Sequence, residues 1–227
     1  MPPAAQTSAS KPARNRAAGY NHYGQKIGSK GERTRQALID TTIELLGTQG
    51  LRDVSVADVA RGAQTSPATF YVYFRGVPEV VLAALEDAPQ TSPELEALMA
   101  QDWQAPGALE RARAFVDAYC ELWNRHGVVF RVRNLAAEEG DERFYKARMT
   151  AAMPMMTALT AQIERAQAAG AIPADLRPRA CAGTILMMLE RLSAIGPMSR
   201  DDDTDIAFGP LKAAAAFTLA NMLGGRA

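Results

Sequence analysis

Histidine and cysteine are scarce in this chain of 227 residues, with two of each. His22 and His126 stand far apart, and no group of residues has metal-ligand spacing. A phosphate loop and a nucleophile elbow are also missing. No metal or cofactor is expected, and an enzyme is not the expected class. Cys120 and Cys181 fall within apolar helical patterns and read as buried thiols rather than a disulfide. No run of about 18 apolar residues is present, so no membrane span is expected. An apolar signal-peptide core is lacking too, which argues for a cytoplasmic protein. Period-2 alternation of useful length does not occur, so the expected fold class is all-α. The acidic stretches Glu138–Glu142 and Asp201–Asp205 read as solvated helix ends and loops.

Net charge is absent as well, with 25 basic and 25 acidic residues. That balance conceals a split. Residues 1–36 hold Lys11, Arg14, Arg16, Lys26, Lys30, Arg33 and Arg35 against Glu32 alone, so the remainder is acidic to the same extent. A basic N-terminal segment of this kind suits neutralisation of phosphates. Residues 1–30 are rich in Pro, Ala, Ser, Gly and Asn without apolar periodicity, and are expected to be a disordered arm.

The most informative stretch runs from Ser55 to Phe74. Ser55, with Asp58 three residues on, forms a capping-box-like start for a short helix. Ser66 starts a second, and Pro67 occupies its first position, where a missing N–H costs nothing. Two short capped helices around a tight turn predict a helix-turn-helix, whose second helix can enter a DNA major groove. A preceding helix from Arg33 places Leu38, Thr42, Leu45 and Leu46 on one face and ends at Gln49-Gly50. Phe70 and Phe74, four apart, are assigned to the core.

The rest reads as helical nearly throughout. Pro78 begins a fourth helix that Pro89 ends, and Thr91-Ser92-Pro93-Glu94 begins another that runs to about Trp103. After Pro106-Gly107 comes an amphipathic helix with Phe115, Tyr119, Leu122 and Trp123 on one side. A separate short helix is expected over Val128–Glu138. A long methionine-rich helix, kinked or broken at Pro154, covers about Asp141–Ala169. Two more span Arg179–Ile195 and about Ile206–Met222.

Over about Arg33–Leu85 the chain resembles the tetracycline-repressor (TetR) family of one-component regulators. Leu38-Ile39-Asp40, Gly50, Val59-Ala60, Ala63, Ser66 and Thr69-Phe70-Tyr71-Val72-Tyr73-Phe74 carry the resemblance. The last block looks like the family's recognition helix. Three places depart from the pattern, one of them Tyr73, which stands where a histidine is common. Gln64-Thr65 replaces the usual glycine and apolar residue of the turn, so some strain or a different turn is expected at Gln64. Val77 stands where a phosphate-binding lysine usually opens the fourth helix, and the basic N-terminal residues are expected to supply that grip.

The resemblance implies an arm over residues 1–30, a DNA-binding domain over 31–78, and a ligand-binding and dimerisation domain over 79–227. It implies a homodimeric regulator, expected to be a repressor, that binds palindromic double-stranded operator DNA and responds to a small effector. Pro67, Ala68 and Val72 are expected against bases and sugars. Thr69, Tyr71 and Tyr73 would offer hydroxyls. Backbone N–H groups behind Ser55 and Ser66, together with Lys30, Arg33 and Arg35, would meet phosphates, and Arg14, Arg16 and Lys26 would lie in a minor groove. Trp103, Phe115, Tyr119, Trp123, Phe144, Met149, Met153, Met156 and Met187 are the expected lining of an apolar effector pocket. Ile185, Met188, Leu189 and Leu192, with Leu211, Ala215, Leu219 and Met222, are the expected dimer surface. Effector binding is expected to shift the fourth helix and change the spacing of the two reading heads. A DNA-binding regulator without a small-molecule effector, protein-responsive or architectural, is the alternative.

Overall fold

The structure, a computed structural model, describes residues 19–196 and 206–224. Among these residues it is all-helical, with α1 (Ser29–Leu46), α2 (Val56–Gly62), α3 (Pro67–Tyr73), α4 (Val77–Asp87), α5 (Pro93–Met99), α6 (Ala108–Glu138), α7 (Glu142–Ala168), α8 (Pro178–Ile195) and α9 (Phe208–Met222). The expected contacts of Arg14 and Arg16, and the acidic loop at 201–205, lie outside the described residues. No single helix among the described residues is long and apolar enough to cross a membrane. The chain divides into two compact units, Met1–Ala84 and Leu85–Ala227, with the division inside α4.

In the first unit, Leu38, Ile39, Val59, Ala60, Phe70 and Phe74 are buried together as the core of α1–α3. Both short helices start where their caps demand. The Ser55 hydroxyl accepts the Asp58 N–H at 3.1 Å and donates to the Asp58 carboxylate at 2.5 Å. The Ser66 hydroxyl accepts the Thr69 N–H at 3.1 Å, with Pro67 at the first helical position. Gly62 lets α2 press on α1, since a Cβ there would lie 2.6 Å from the Thr41 methyl.

The turn after α2 closes as a Schellman motif, with Thr65 N–H on the Ala60 carbonyl at 2.8 Å and Gln64 N–H on the Arg61 carbonyl at 3.1 Å. Its left-handed residue is Gln64, at φ +52°. Among the described residues no other non-glycine has positive φ. The strain expected from Gln64 in place of glycine is therefore present in the backbone.

α1 begins four residues earlier than Arg33, at Ser29. Its first turn is held from outside the helix: a Cβ on Gly31 would stand 3.3 Å from the Tyr73 hydroxyl. Residues 19–28 before it take a defined fold, where a disordered arm was expected over residues 1–30. Tyr20 and Lys26 form an antiparallel bridge. Asn21, only 5% exposed, organises the loop between them, its side-chain oxygen accepting the Tyr23 and Gln25 N–H groups at 3.0 and 2.9 Å. The His22 N–H then donates to the Val72 carbonyl at 3.0 Å. That carbonyl belongs to the last turn of α3, where helical partners run out.

In the second unit α6 packs against α7, α8 and α9. It is one helix of 31 residues, where two were expected. Gly127 costs about 1 kcal/mol relative to alanine. Packing on both sides of it outweighs that: Trp123 and Phe130 meet edge-to-face at 5.4 Å, and His126 lies 5.8 Å from Phe130. α7 continues through Pro154 as one helix. α5 stops at Met99, short of Trp103, because its last carbonyls find other partners. The buried Gln162 amide donates to the Met99 and Gln101 carbonyls at 2.6 and 3.0 Å. Trp103 turns inward instead, its indole N–H on the Leu98 carbonyl at 3.0 Å.

Candidate nucleic-acid interface and effector cavity

The surface of α3 is apolar at its start and aromatic towards its end. Pro67 and Ala68 are exposed, as are Tyr71 (48%) and Val72 (37%), while Phe70 and Phe74 are turned into the core as assigned from the sequence. Tyr71 is held edge-on to Phe70 at 5.7 Å, so its hydroxyl is presented on a fixed ring. The hydroxyls of Ser66 and Thr69 bond each other at 3.0 Å, and Tyr73 is half-buried beside Gly31. Lys30 and Arg33 are exposed on the first turns of α1. Arg35 differs from them: its guanidinium sits 5.5 Å over the Phe74 ring and is drawn onto the core. Arg75, at the exit of α3, donates to the His22 ring at 3.1 Å. Asp58, in the α2 cap, is held below the ordinary carboxylate value of 3.8, first by the Ser55 hydroxyl and then by Arg61.

In the second unit the expected pocket lining separates into three groups. Trp103, Phe115 and Phe144 are fully buried packing residues. Met149, Met153 and Met187 are 39%, 37% and 60% exposed, so the methionines at those positions do not wall an enclosed apolar cavity. Met156 is half-buried. Tyr119 and Trp123 border a small cavity of about 40 Å³, lined also by Leu122, Phe130, Arg133 and Leu186. A second cavity of about 300 Å³, lined by Arg131, Leu135, Arg148 and Met187 among others, shares Trp123 and Glu190 with the first.

The smaller cavity carries charge that sequence reasoning missed. Arg133 is 5% exposed and pairs with Glu190 at 3.3 Å, and Arg148 reaches the other oxygen of Glu190 at 2.6 Å. Arg133 also donates to Gln90 at 3.4 Å and stacks 5.0 Å over Phe130. Burial pulls the Arg133 pKa down, opposed by Glu190. Burial raises the Tyr119 pKa, and Glu190 adds to it. Arg148 also lies 3.7 Å from Glu138, so at the wall of the cavity two arginines are shared between two carboxylates. The signal was present in the sequence: Arg133 interrupts the apolar stripe Val129, Phe130, Ala136. A charged residue on a buried face needs a partner, and that partner is 57 positions away.

The expected dimer residues also need correction. Ile185, Leu189, Leu192, Ala215 and Leu219 are buried within this subunit's own core. Met188, Leu211 and Met222 are half-buried. The apolar side chains left outside on these helices are Met187 and Phe217, at 60% and 53% exposure. Of the two cysteines, Cys181 is buried and Cys120 half-buried, and both are free. Burial raises the Cys120 thiol pKa.

Two family models match the chain. One described as bacterial regulatory proteins, tetR family, covers residues 38–84, and one described as tetracyclin repressor-like, C-terminal domain, covers residues 95–205. The HTH-type transcriptional regulator BetI of Brucella anthropi is 42% identical over 60 residues, which is 26% of this chain and 30% of that protein. The chain thus matches less than a third of the length of this curated relative. Among solved structures, regulatory protein TetR from Rhodobacter sphaeroides is similar at 24% identity, covering 82% of this chain and 97% of that one, with a TM-score of 0.53. The fatty acid degradation regulator FadR from Bacillus halodurans is similar at 16% identity, over 88% and 97% of the two chains, with a TM-score of 0.59. At these identities the solved structures speak for the fold.

Proposed function

Because this chain belongs to the tetR family of bacterial regulatory proteins and is a transcriptional regulator, we propose that it is a cytoplasmic repressor that reads operator DNA through α3 as a homodimer. The observation that carries this reading is the exposed row Pro67, Ala68, Tyr71 and Val72 on a helix whose cap and core residues are fully engaged elsewhere. Apolar groups at the start of such a helix suit thymine methyls, and the Tyr71 hydroxyl suits a phosphate. Exposed Lys30 and Arg33 add backbone neutralisation. The second copy packs on the outward faces of α8 and α9 through Met187 and Phe217.

The effector occupies the paired cavities of the second unit. Tyr119, Trp123 and Phe130 offer aromatic walls, and Arg133, Arg148 and Glu190 offer hydrogen bonds. An effector with an apolar body and one acidic or polar group fits that lining better than a purely apolar one. An effector that binds better to the state whose two reading heads miss successive major grooves, about 34–36 Å apart, releases the operator.

The experiment is a binding titration of the full-length dimer on duplexes from the DNA flanking its own gene. A palindromic duplex bound in the nanomolar range, with a Tyr71→Ala loss of tenfold or more, supports the reading. Absence of binding to every flanking duplex overturns it. A thermal-shift screen of small organic acids and their neutral analogues tests the effector, since a ligand of the native state raises its apparent stability.

A further inference from the structure

The ordered segment 19–28 is a built element whose position gives it a role. Its loop is closed by the Tyr20–Lys26 bridge and by the near-buried Asn21, and it is fastened to α3 at two points. One is the His22 N–H on the Val72 carbonyl at 3.0 Å, and the other is Arg75 Nε on the His22 ring at 3.1 Å. Val72 is itself an exposed residue of α3. What the loop presents outward is Tyr23, 67% exposed, Tyr20, 43% exposed, and the exposed Lys26. Lys30 and Arg33 lie in the first turns of α1, which follows the loop, and Arg75 reaches it through the His22 ring. The nearby carboxylates are Glu32, close to Gly19, and Glu79, which accepts the Arg75 backbone N–H at 2.6 Å. Cations exceed carboxylates here, and two phenols lie exposed among them.

We infer that residues 19–28 form a second DNA-contacting element, a strap that holds the end of α3 and grips the phosphates beside it through Lys26 and Tyr23. This inference rests on the proposal that α3 reads DNA. The strap serves in two ways. Its His22 N–H satisfies a terminal carbonyl of α3 and fixes the helix before DNA arrives. Its outward side chains supply a cation and a hydroxyl donor, the groups that position a protein on the phosphate backbone.

The test measures affinity of the full-length protein for a 30-base-pair duplex of arbitrary sequence across a sodium chloride series. Lys26→Ala is expected to lower the slope of log K against log salt by about 0.9, the value for one phosphate contact. Tyr23→Ala is expected to weaken binding a few-fold at every salt concentration. Asn21→Ala, which removes the loop's organising side chain, is expected to produce both losses together. Lys26 and Tyr23 are exposed, so their variants should melt as the parent does and keep the test valid if Asn21→Ala misfolds. Arg33→Ala on α1 is the reference. A lowered slope for Arg33→Ala with an unchanged slope for Lys26→Ala and unchanged affinity for Tyr23→Ala overturns the strap alone. A parent protein that binds no duplex overturns the DNA reading and the strap with it.

Discussion

The two units of this chain place their polar chemistry on opposite sides of their surfaces. The first, from Gly19 to Ala84, buries mainly apolar side chains, with Asn21 and Thr42 hydrogen-bonded among them, and carries its phenols and cations towards the outside. The second buries Arg133, paired with the half-buried Glu190, and leaves Met187 and Phe217 outside. The difference accords with the partner proposed for each. A polyanion is met at a surface, where side chains must be preset but solvated. A small molecule is met in an interior, where a few polar groups in a dry wall decide what is accepted. The lesson is that exposed apolar residues and buried charges, not the average pattern, mark what each unit does.

The comparison breaks most sharply at Glu190. Glu190→Ala strands the buried Arg133 at the cavity wall, while Arg148 keeps Glu138, and is expected to cost about 3 kcal/mol, as removing one partner of a buried pair does. Denaturant unfolding of the full chain checks it, and adding Arg133→Met should recover part of the loss. No pair in the first unit is expected to approach that value. The next effect concerns association. Phe217→Glu is expected to weaken the dimer by about 2 kcal/mol or more, the scale of a central apolar anchor. Sedimentation should then show monomer at concentrations where the parent is dimeric.

Smaller effects sharpen the other side of the comparison. Ser66→Ala removes the acceptor for the Thr69 N–H and is expected to destabilise the first unit by about 1 kcal/mol. Amide exchange over α3 should rise while exchange over α6–α8 stays unchanged. Ser55→Ala has a similar cost with a pH signature. The Asp58 pKa is depressed in the folded state, so the stabilisation it reports is present above the unfolded value and is lost as pH falls below about 3.8. The stability gap between parent and Ser55→Ala should therefore narrow in acid. Gln64→Gly relieves a left-handed residue and is expected to stabilise by less than about 1 kcal/mol, visible as a small rise in melting temperature.

Much of the first unit was legible because its signals are local. Ser55 acts on Asp58 and Ser66 on Thr69, each three residues away, and the left-handed turn at Gln64 was marked by a residue standing where glycine is favoured. The strap was not legible. Its sequence has no periodicity, and its order comes from Asn21 and from a hydrogen bond to Val72, 50 positions along the chain. In the second unit the apolar stripes were visible but not their destinations. Leu189 and Met187 stand two apart on α8, yet one is fully buried and the other 60% exposed.

By itself the amino-acid sequence determined the all-α class, the starts of the capped helices and the reading helix, because capping and helical periodicity act within a few residues. Only the tertiary structure decided which apolar side chains are spent inside the core and which remain exposed. It also decided that Arg133 and Arg148 meet at Glu190, and that residues 19–28 lie on α3. Burial and charge pairing depend on what another segment brings to the same place, and no local pattern encodes that neighbour.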